Sequence, residues 1–267
     1  MRIIHFSDLH FGCKLESKSY YFNKSLLGYL NYRFKRQDSH NYSLLPKFID
    51  KVKSNPPDLL VCTGDLTCIG QPKEFEIALN ALEPLLDLKI PIAYVPGNHD
   101  LYVRNEENLI SLIKTFNTLN KQLGINYSQL PASFTIKDNL FIMVNECTPT
   151  SPASSCGYLS KESSEYIVKE VMKNPNKKII LIGHYPIIEP FSITRLRRRL
   201  WGQGKIRELL DNKKINLSLI GHIHEPYLSL NKIGEGEICA GSLTKSASYN
   251  DIILNNECNI INTTYLT

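Results

Sequence analysis

Residues 92–100 read Ile92-Ala93-Tyr94-Val95-Pro96-Gly97-Asn98-His99-Asp100, an apolar run that stops at a glycine and three side chains able to bind metal or move protons. Short runs that are apolar throughout are expected to be strands buried on both faces. The same kind of run recurs at Arg2–Ser7, Leu59–Thr63, Leu140–Asn145, Lys178–Ile182 and Leu217–Ile220. Segments with helical period lie between them, at Leu44–Val52, Glu74–Leu88, Arg104–Leu123 and Ser160–Met172. Ser160 and Glu162 suit a helix start, one as cap and one as first-turn acid. Strands alternating with helices predict an α/β fold with a largely parallel core. After Leu228 the runs become short, with Gly and Asn turns, and predict antiparallel closing strands. No shift in composition marks a boundary, so residues 1–267 read as one domain.

Composition narrows the function classes. Hydrophobic residues are 42% and charged residues 21% of the 267, enough apolar material for a full core, which excludes intrinsic disorder. The longest apolar runs fall far short of the ~20 residues of a membrane span. Polar residues come too early for a secretory leader. The seven cysteines are scattered and never spaced Cys-x-x-Cys. These features predict a cytoplasmic chain with reduced thiols. Net charge is +5, but the basicity is concentrated. Residues 14–36 hold Lys14, Lys18, Lys24, Arg33, Lys35 and Arg36 against Glu16 alone. Residues 195–207 hold Arg195, Arg197, Arg198, Arg199, Lys205 and Arg207 and no acid.

Nearly every expected strand ends in residues that bind metals. The first runs into Ser7-Asp8-Leu9-His10 and the second into Thr63-Gly64-Asp65. The third reaches Gly97-Asn98-His99-Asp100, and two later ones reach Gly183-His184 and Gly221-His222-Ile223-His224. Ligands of open α/β sheets bind outside the carboxyl ends of the strands. One such motif is ordinary turn chemistry; five in order are not. The preceding glycines let ligands crowd without Cβ obstruction. Imidazole mixed with carboxylate and amide oxygen suits Mn, Fe or Zn better than Ca. His222 and His224, two apart, would point the same way on an extended segment. His5 and His40 read as structural or solvated, Asn145-Glu146 as supporting residues near the rim, and Cys13 and Cys68 as bystanders.

As a set, Asp8-x-His10, Gly64-Asp65, Gly97-Asn98-His99-Asp100, Gly183-His184 and Gly221-His222-x-His224 resemble the motifs of the calcineurin-like metallophosphoesterases. The resemblance implies a four-layer α/β/β/α sandwich of two mixed sheets with two divalent metal ions, Mn foremost. By motif, Asp8, His10 and His224 would hold one ion, Asn98, His184 and His222 the other, and Asp65 would bridge them. In the family the histidine at His99 gives a proton to the leaving oxygen, oriented by the aspartate at Asp100.

The motifs imply hydrolysis of phosphoester or phosphoanhydride bonds; the substrate must come from the flanks. The insert around 14–36 interleaves Tyr20, Tyr21, Phe22, Leu26, Leu27, Tyr29, Leu30, Tyr32 and Phe34 with its basic residues. A second basic segment around 190–207 adds Leu196, Leu200 and Trp201. If both reach the mouth, Lys14, Phe22, Leu26, Leu30, Arg104, Arg195, Arg197, Arg198 and Trp201 would meet an amphiphilic anion. That resembles the branch hydrolysing UDP-diacylglucosamine in lipid A biosynthesis, in the form found in Chlamydia-like bacteria. The better-known lipid A hydrolases of this fold differ in having Arg where this chain has His99. The expected partner is then a nucleotide-linked glycolipid, with peripheral contact to the inner membrane face. The runner-up is a cyclic-nucleotide or general phosphodiesterase, and nucleic acid comes third. A metal-free binding scaffold is disfavoured, because none of the ligand positions is degenerate.

Overall fold

The computed structural model describes residues 1–152, 154–188 and 198–267. The apolar runs become β1 (Arg2–Phe6), β2 (Leu59–Cys62), β3 (Ile92–Tyr94), β5 (Asn139–Met143), β7 (Lys178–Ile182) and β9 (Leu217–Ile220). To these are added β4 (Ala132–Ile136), β6 (Gly157–Tyr158), β8 (Leu200–Trp201), β10 (Tyr227–Leu230), β11 (Gly236–Cys239), β12 (Ser248–Ile253) and β13 (Ile260–Tyr265). One mixed sheet has the order β13-β12-β1-β2-β3 and a second the order β10-β11-β9-β7-β5-β4. β6 and β8 form a small ribbon apart.

Alternation along the second sheet shows how the layers stack. Phe141, Met143, Ile180, Ile182, Leu217 and Leu219 face one core, shared with Ile3, Phe6, Leu60 and Val61 of the first sheet. Leu140, Ile142, Ile179 and Leu181 point the opposite way and pack with Ile167, Val171, Ile206 and Leu210. Those last four belong to the helices Lys161–Lys173 and Gly204–Asp211. The helices Leu44–Ser54, Pro72–Leu86 and Glu106–Leu119 join the first core through Phe48, Phe75 and Phe116. The result is helices, sheet, sheet, helices. Truncating Ile180, fully buried between the sheets, to alanine would cost about 2–5 kcal/mol.

One expectation is corrected at the C-terminal end. β12 and β13 are antiparallel as expected, but β11 runs parallel to β9. The hairpin that makes β10 antiparallel to β11 turns the chain back into the direction of the crossover strands. The insert after β1 is helical: a short 3-10 turn Lys18–Phe22, the α-helix Lys24–Asn31 and a π-helical turn Tyr32–Arg36. It seats Tyr20 in the body of the protein, where its hydroxyl donates to Asn108 Oδ1 at 2.6 Å.

Candidate metal centre

The loops leaving β1 and β2 converge because their backbones pair, and the loop leaving β9 joins them through His222 N, which donates to Asp8 Oδ2. Asp8 N donates to Gly64 O at 3.0 Å, and His10 N to Asp65 O at 2.9 Å. Asp8, His10, Asp65, His222 and His224 all have positive φ, between 51° and 67°. Left-handed backbone costs a residue with a Cβ about 1–2 kcal/mol, so this strain is concentrated where the polar side chains meet. The expectation of an extended His222–His224 segment is therefore corrected. The two residues lie in a tight turn closed by Ile223 N donating to Gly221 O, and the turn sends their rings to different clusters. Glycines make room for this crowding. A Cβ at Gly97 would lie 2.2 Å from Asp65 Oδ1, and one at Gly221 would lie 2.1 Å from Ser7 Oγ.

Two groups of donor atoms result. Asp8, His10, Asp65 and His224 form one, and Asp65, His184 and His222 the other. Each aspartate has one oxygen held by a neighbouring loop. Asp8 Oδ2 accepts from His222 N at 3.1 Å, and Asp65 Oδ1 accepts from His99 N at 2.7 Å. The second oxygens face the imidazoles. Asp65 Oδ2 lies 3.5 Å from His10 Nε2 and 3.6 Å from His184 Nε2, so a single atom belongs to both groups. Asn98 joins the second group, with Oδ1 3.2 Å from His184 Nε2.

The hydrogen bonds behind the rings set their tautomers. His10 Nδ1 lies 3.2 Å from Thr67 O, and His184 Nδ1 lies 2.6 Å from Thr63 O. A carbonyl only accepts, so Nδ1 carries the proton in both rings and Nε2 presents a lone pair. His10 Nε2 then faces His224 Nε2 at 2.9 Å, and His184 Nε2 faces an amide oxygen. Burial lowers the pKa of His184 and holds that of His222 well below the usual range, with His184 adding to the latter shift. Burial pushes the Asp8 carboxyl up, but His224 and His10 outweigh it and hold Asp8 well below the usual carboxylate range. Neutral imidazoles beside an ionised carboxylate are the donor set of a transition-metal site. Asp8 Oδ1 and His222 Nε2 are buried without a hydrogen-bond partner. Orphaned buried polar atoms are costly, and cations at the two clusters would satisfy both. The residues fit two metal ions.

His99 stands beside this centre but is oriented differently from the expectation. Its Nδ1 faces the carbonyl of Cys68 at 2.5 Å. The Asp100 carboxylate instead accepts from Thr67 N and Oγ1, Tyr94 Oη, Gly97 N and Leu66 N. Asp100 ties the loops after β2 and β3 together, because five donors converge on it. Glu146, in the loop that follows β5, has a similar supporting role. Its Oε2 accepts from His184 N and Tyr185 N, and burial pushes its pKa up to about 7. His5 and His40 are both buried, bonded to Thr63 Oγ1 and Thr244 Oγ1. The His40 ring also lies 5.3 Å from that of His10.

A cavity of about 590 Å³ opens over Asp65, Asn98, His99, His222 and His224. Lys24, Leu27, Asn31, Tyr102, Arg198 and Lys245 are on its wall. Of the residues expected to meet substrate, Arg198 lines it. Lys14, Phe22, Leu26, Leu30, Arg104 and Trp201 do not, and Arg195 and Arg197 lie outside the described residues. The helix Lys24–Asn31 turns the stripe of residues 24, 27 and 31 toward the cavity, leaving Leu26 and Leu30 on another face. Phe22 precedes the helix and is 90% exposed, and Trp201 is covered on one face by the Arg199 guanidinium at 4.7 Å. Lys24, Tyr102 and Lys245 were not singled out from sequence. Lys24 was visible only as one of several basic residues, and nothing local marked the other two.

No helix among the described residues is long and apolar enough to cross a membrane. The chain is 29% identical over 185 residues to a protein of Arcobacter nitrofigilis named "Probable glycerophosphodiester phosphodiesterase", covering 66% of this chain and 60% of that one. It is 27% identical over 173 residues to a 3',5'-cyclic-nucleotide phosphodiesterase of Nostoc, covering 64% of this chain and 57% of that one. The chain thus spans less than two thirds of the length of these curated relatives. Among solved structures, a dimetal phosphatase from Danio rerio superposes with a TM-score of 0.70 at 12% identity, over 100% of this chain and 96% of that one. A purple acid phosphatase from Lupinus luteus superposes with a TM-score of 0.59 at 14% identity, over 99% of this chain and 51% of that one. At such identities the likeness is one of fold, two mixed sheets between helices. The model of the calcineurin-like phosphoesterases matches residues 1–226, the span that carries every donor of the two clusters, and the chain belongs to that family of metal-dependent phosphoester hydrolases.

Proposed function

We propose that the protein is a dinuclear metal-dependent phosphodiesterase. The observation that carries the reading is the Asp65 carboxylate oxygen placed between His10 Nε2 and His184 Nε2. Asp8, His10 and His224 would hold one ion, Asn98, His184 and His222 the other, with Asp65 common to both and Mn, Fe or Zn matching the donors. Two such ions supply charge neutralisation of the phosphoryl oxygens and a water acidic enough to attack at neutral pH. His99 lines the cavity with Nδ1–H committed to the Cys68 carbonyl, so any proton it gives to the leaving oxygen comes from Nε2. Lys24, Arg198 and Lys245 on the wall favour an anionic substrate. The names of the two curated relatives support a diester. The test is hydrolysis of bis(4-nitrophenyl) phosphate by protein loaded with Mn, Fe or Zn in turn. Turnover that stops on chelation supports the reading, and turnover indifferent to metal overturns it.

A second reading keeps the acylated substrate, a nucleotide-linked glycolipid. Leu27 on the cavity wall, and Phe22, Leu30 and Phe34 exposed along the same insert, favour an apolar portion of the ligand or contact with a membrane surface. The names of the curated relatives give this reading no support, and it ranks below the soluble diester.

A further inference from the structure

The peptide group between Cys68 and Ile69 is held from both edges. Its carbonyl oxygen faces His99 Nδ1 at 2.5 Å, and its N–H donates to Glu74 Oε2 at 2.9 Å. A peptide is planar, with C=O and N–H at opposite edges, so fixing one fixes the other. On either side of it, Cys68 N donates to Phe11 O at 3.0 Å, and a Cβ on Gly70 would lie 2.8 Å from Asp100 O. Glu74 opens the helix Pro72–Leu86 and is 1% exposed. Its Oε1 lies 3.5 Å from Gln71 Nε2, which also donates to Lys14 O at 3.1 Å. Among the described residues, no Lys or Arg lies within ion-pair distance of Glu74. Acids are seldom fully buried without such a partner. A first-turn acid favours a helix N-terminus from the surface as well, so the helix start alone does not account for the burial.

We propose that Glu74 is a positioning residue for His99, acting through the Cys68–Ile69 peptide. By holding Ile69 N–H, it sets the direction of the carbonyl that accepts from His99 Nδ1, and so leaves His99 Nε2 to the cavity. Hydrogen bonds in series polarise one another, so the acceptor at Ile69 N–H also makes the Cys68 carbonyl the better acceptor for the ring. The role of His99 toward a leaving oxygen rests on the phosphodiesterase reading above; the orientation of its ring does not.

The experiment uses zinc-loaded protein, wild type and the variants Glu74→Leu, Glu74→Asp and Glu74→Gln. Long-range proton–nitrogen spectra of the His99 ring should show the Nδ1–H tautomer in wild type and a mixture of tautomers in Glu74→Leu. Kinetics compare diphenyl phosphate, whose leaving group needs a proton, with bis(4-nitrophenyl) phosphate, whose leaving group does not. Misplacing a catalytic group by about 1 Å can cost roughly 10²-fold, so kcat of Glu74→Leu for diphenyl phosphate should fall at least about tenfold further than for the nitrophenyl ester. KM should change little, because the binding groups are untouched. Glu74→Asp withdraws the carboxyl by one methylene and should show the same split, which keeps the test open if the leucine variant fails to fold. Glu74→Gln keeps an acceptor for Ile69 N–H and should hold both the tautomer and the turnover. Equal losses on the two esters would make Glu74 a support of the fold only and overturn the proposal. Unchanged kinetics in Glu74→Asp and Glu74→Leu would overturn it too, as would a loss in Glu74→Gln as large as theirs. A wild type inert toward both esters would overturn the phosphodiesterase reading, and the His99 spectra would then decide the positioning by themselves.

Discussion

The Nδ1 atom of His99 lies 2.5 Å from the carbonyl oxygen of Cys68, on the loop that follows Asp65. A backbone acceptor fixes the ring through the loop that also carries Asp65, so the His99 ring and the carboxylate common to both clusters are held by one loop. Asp100, next in sequence, is fully engaged by five donors of the surrounding loops. The two neighbours should respond differently to mutation.

His99→Ala should keep its metals and its stability while turnover falls roughly 10²–10⁴-fold on esters with poor leaving groups. The loss should be smaller for 4-nitrophenyl esters, whose leaving group needs no proton. Asp100→Asn should instead lower the denaturation midpoint, since each buried donor left unsatisfied costs about 1–3 kcal/mol. Parallel urea titrations and kinetics on both variants check this. An unchanged midpoint in Asp100→Asn would sink the structural assignment.

Asp65→Ala should abolish metal-dependent hydrolysis and reduce the bound metal below two ions per chain, because one oxygen lies in both clusters. In the wild type, metal should also stabilise the fold. A ligand at a hundred times its Kd adds about 2.7 kcal/mol to the folded state. Adding Mn to chelator-treated protein should therefore raise Tm, and in Asp65→Ala this rise should shrink. Elemental analysis and thermal unfolding give both readouts.

Glu74 predicts a pH dependence of stability. It is buried, its Oε2 accepts from Ile69 N at 2.9 Å, and burial pushes its pKa up to about 8 from an ordinary value of 4.5. Between those values the folded state keeps a proton that the unfolded state has released. Stability from this group is therefore full below pH 4.5 and is lost as pH rises through about 8. Glu74→Gln, which keeps an acceptor but cannot ionise, should flatten the fall in Tm from pH 6 to pH 9. Identical slopes in variant and wild type would contradict it.

Phe22 and Phe34 are 90% and 75% exposed, so replacing both with Ser should change stability by no more than about 0.5 kcal/mol each. If the acylated reading holds, a diacyl phosphoester should then bind worse, by up to one to two decades per side chain. Hydrolysis of bis(4-nitrophenyl) phosphate should stay within a factor of two. Unaltered handling of both esters would remove the acylated reading.

Much of this protein was legible before any fold was known. Apolar runs of strand length announce β1, β2, β3, β7 and β9, four of them followed by a glycine, and polar residues after each run supply the donors of both clusters. These are local facts: a strand buried on both faces must be apolar, and a ligand at its end must be polar. The pairing of those ends was not local. Asp8 and His222 meet across 214 positions, and the loop that carries His222 and His224 is a left-handed turn, where two-residue spacing had suggested an extended segment. Nor could composition distinguish Leu26 and Leu30 from Leu27, because the face a helix turns toward a site depends on what packs beneath it, here Gly28 against Tyr102. The Cys68 carbonyl left no trace in the sequence at all. Every residue carries a carbonyl, and only the packed chain decides which one stands behind His99.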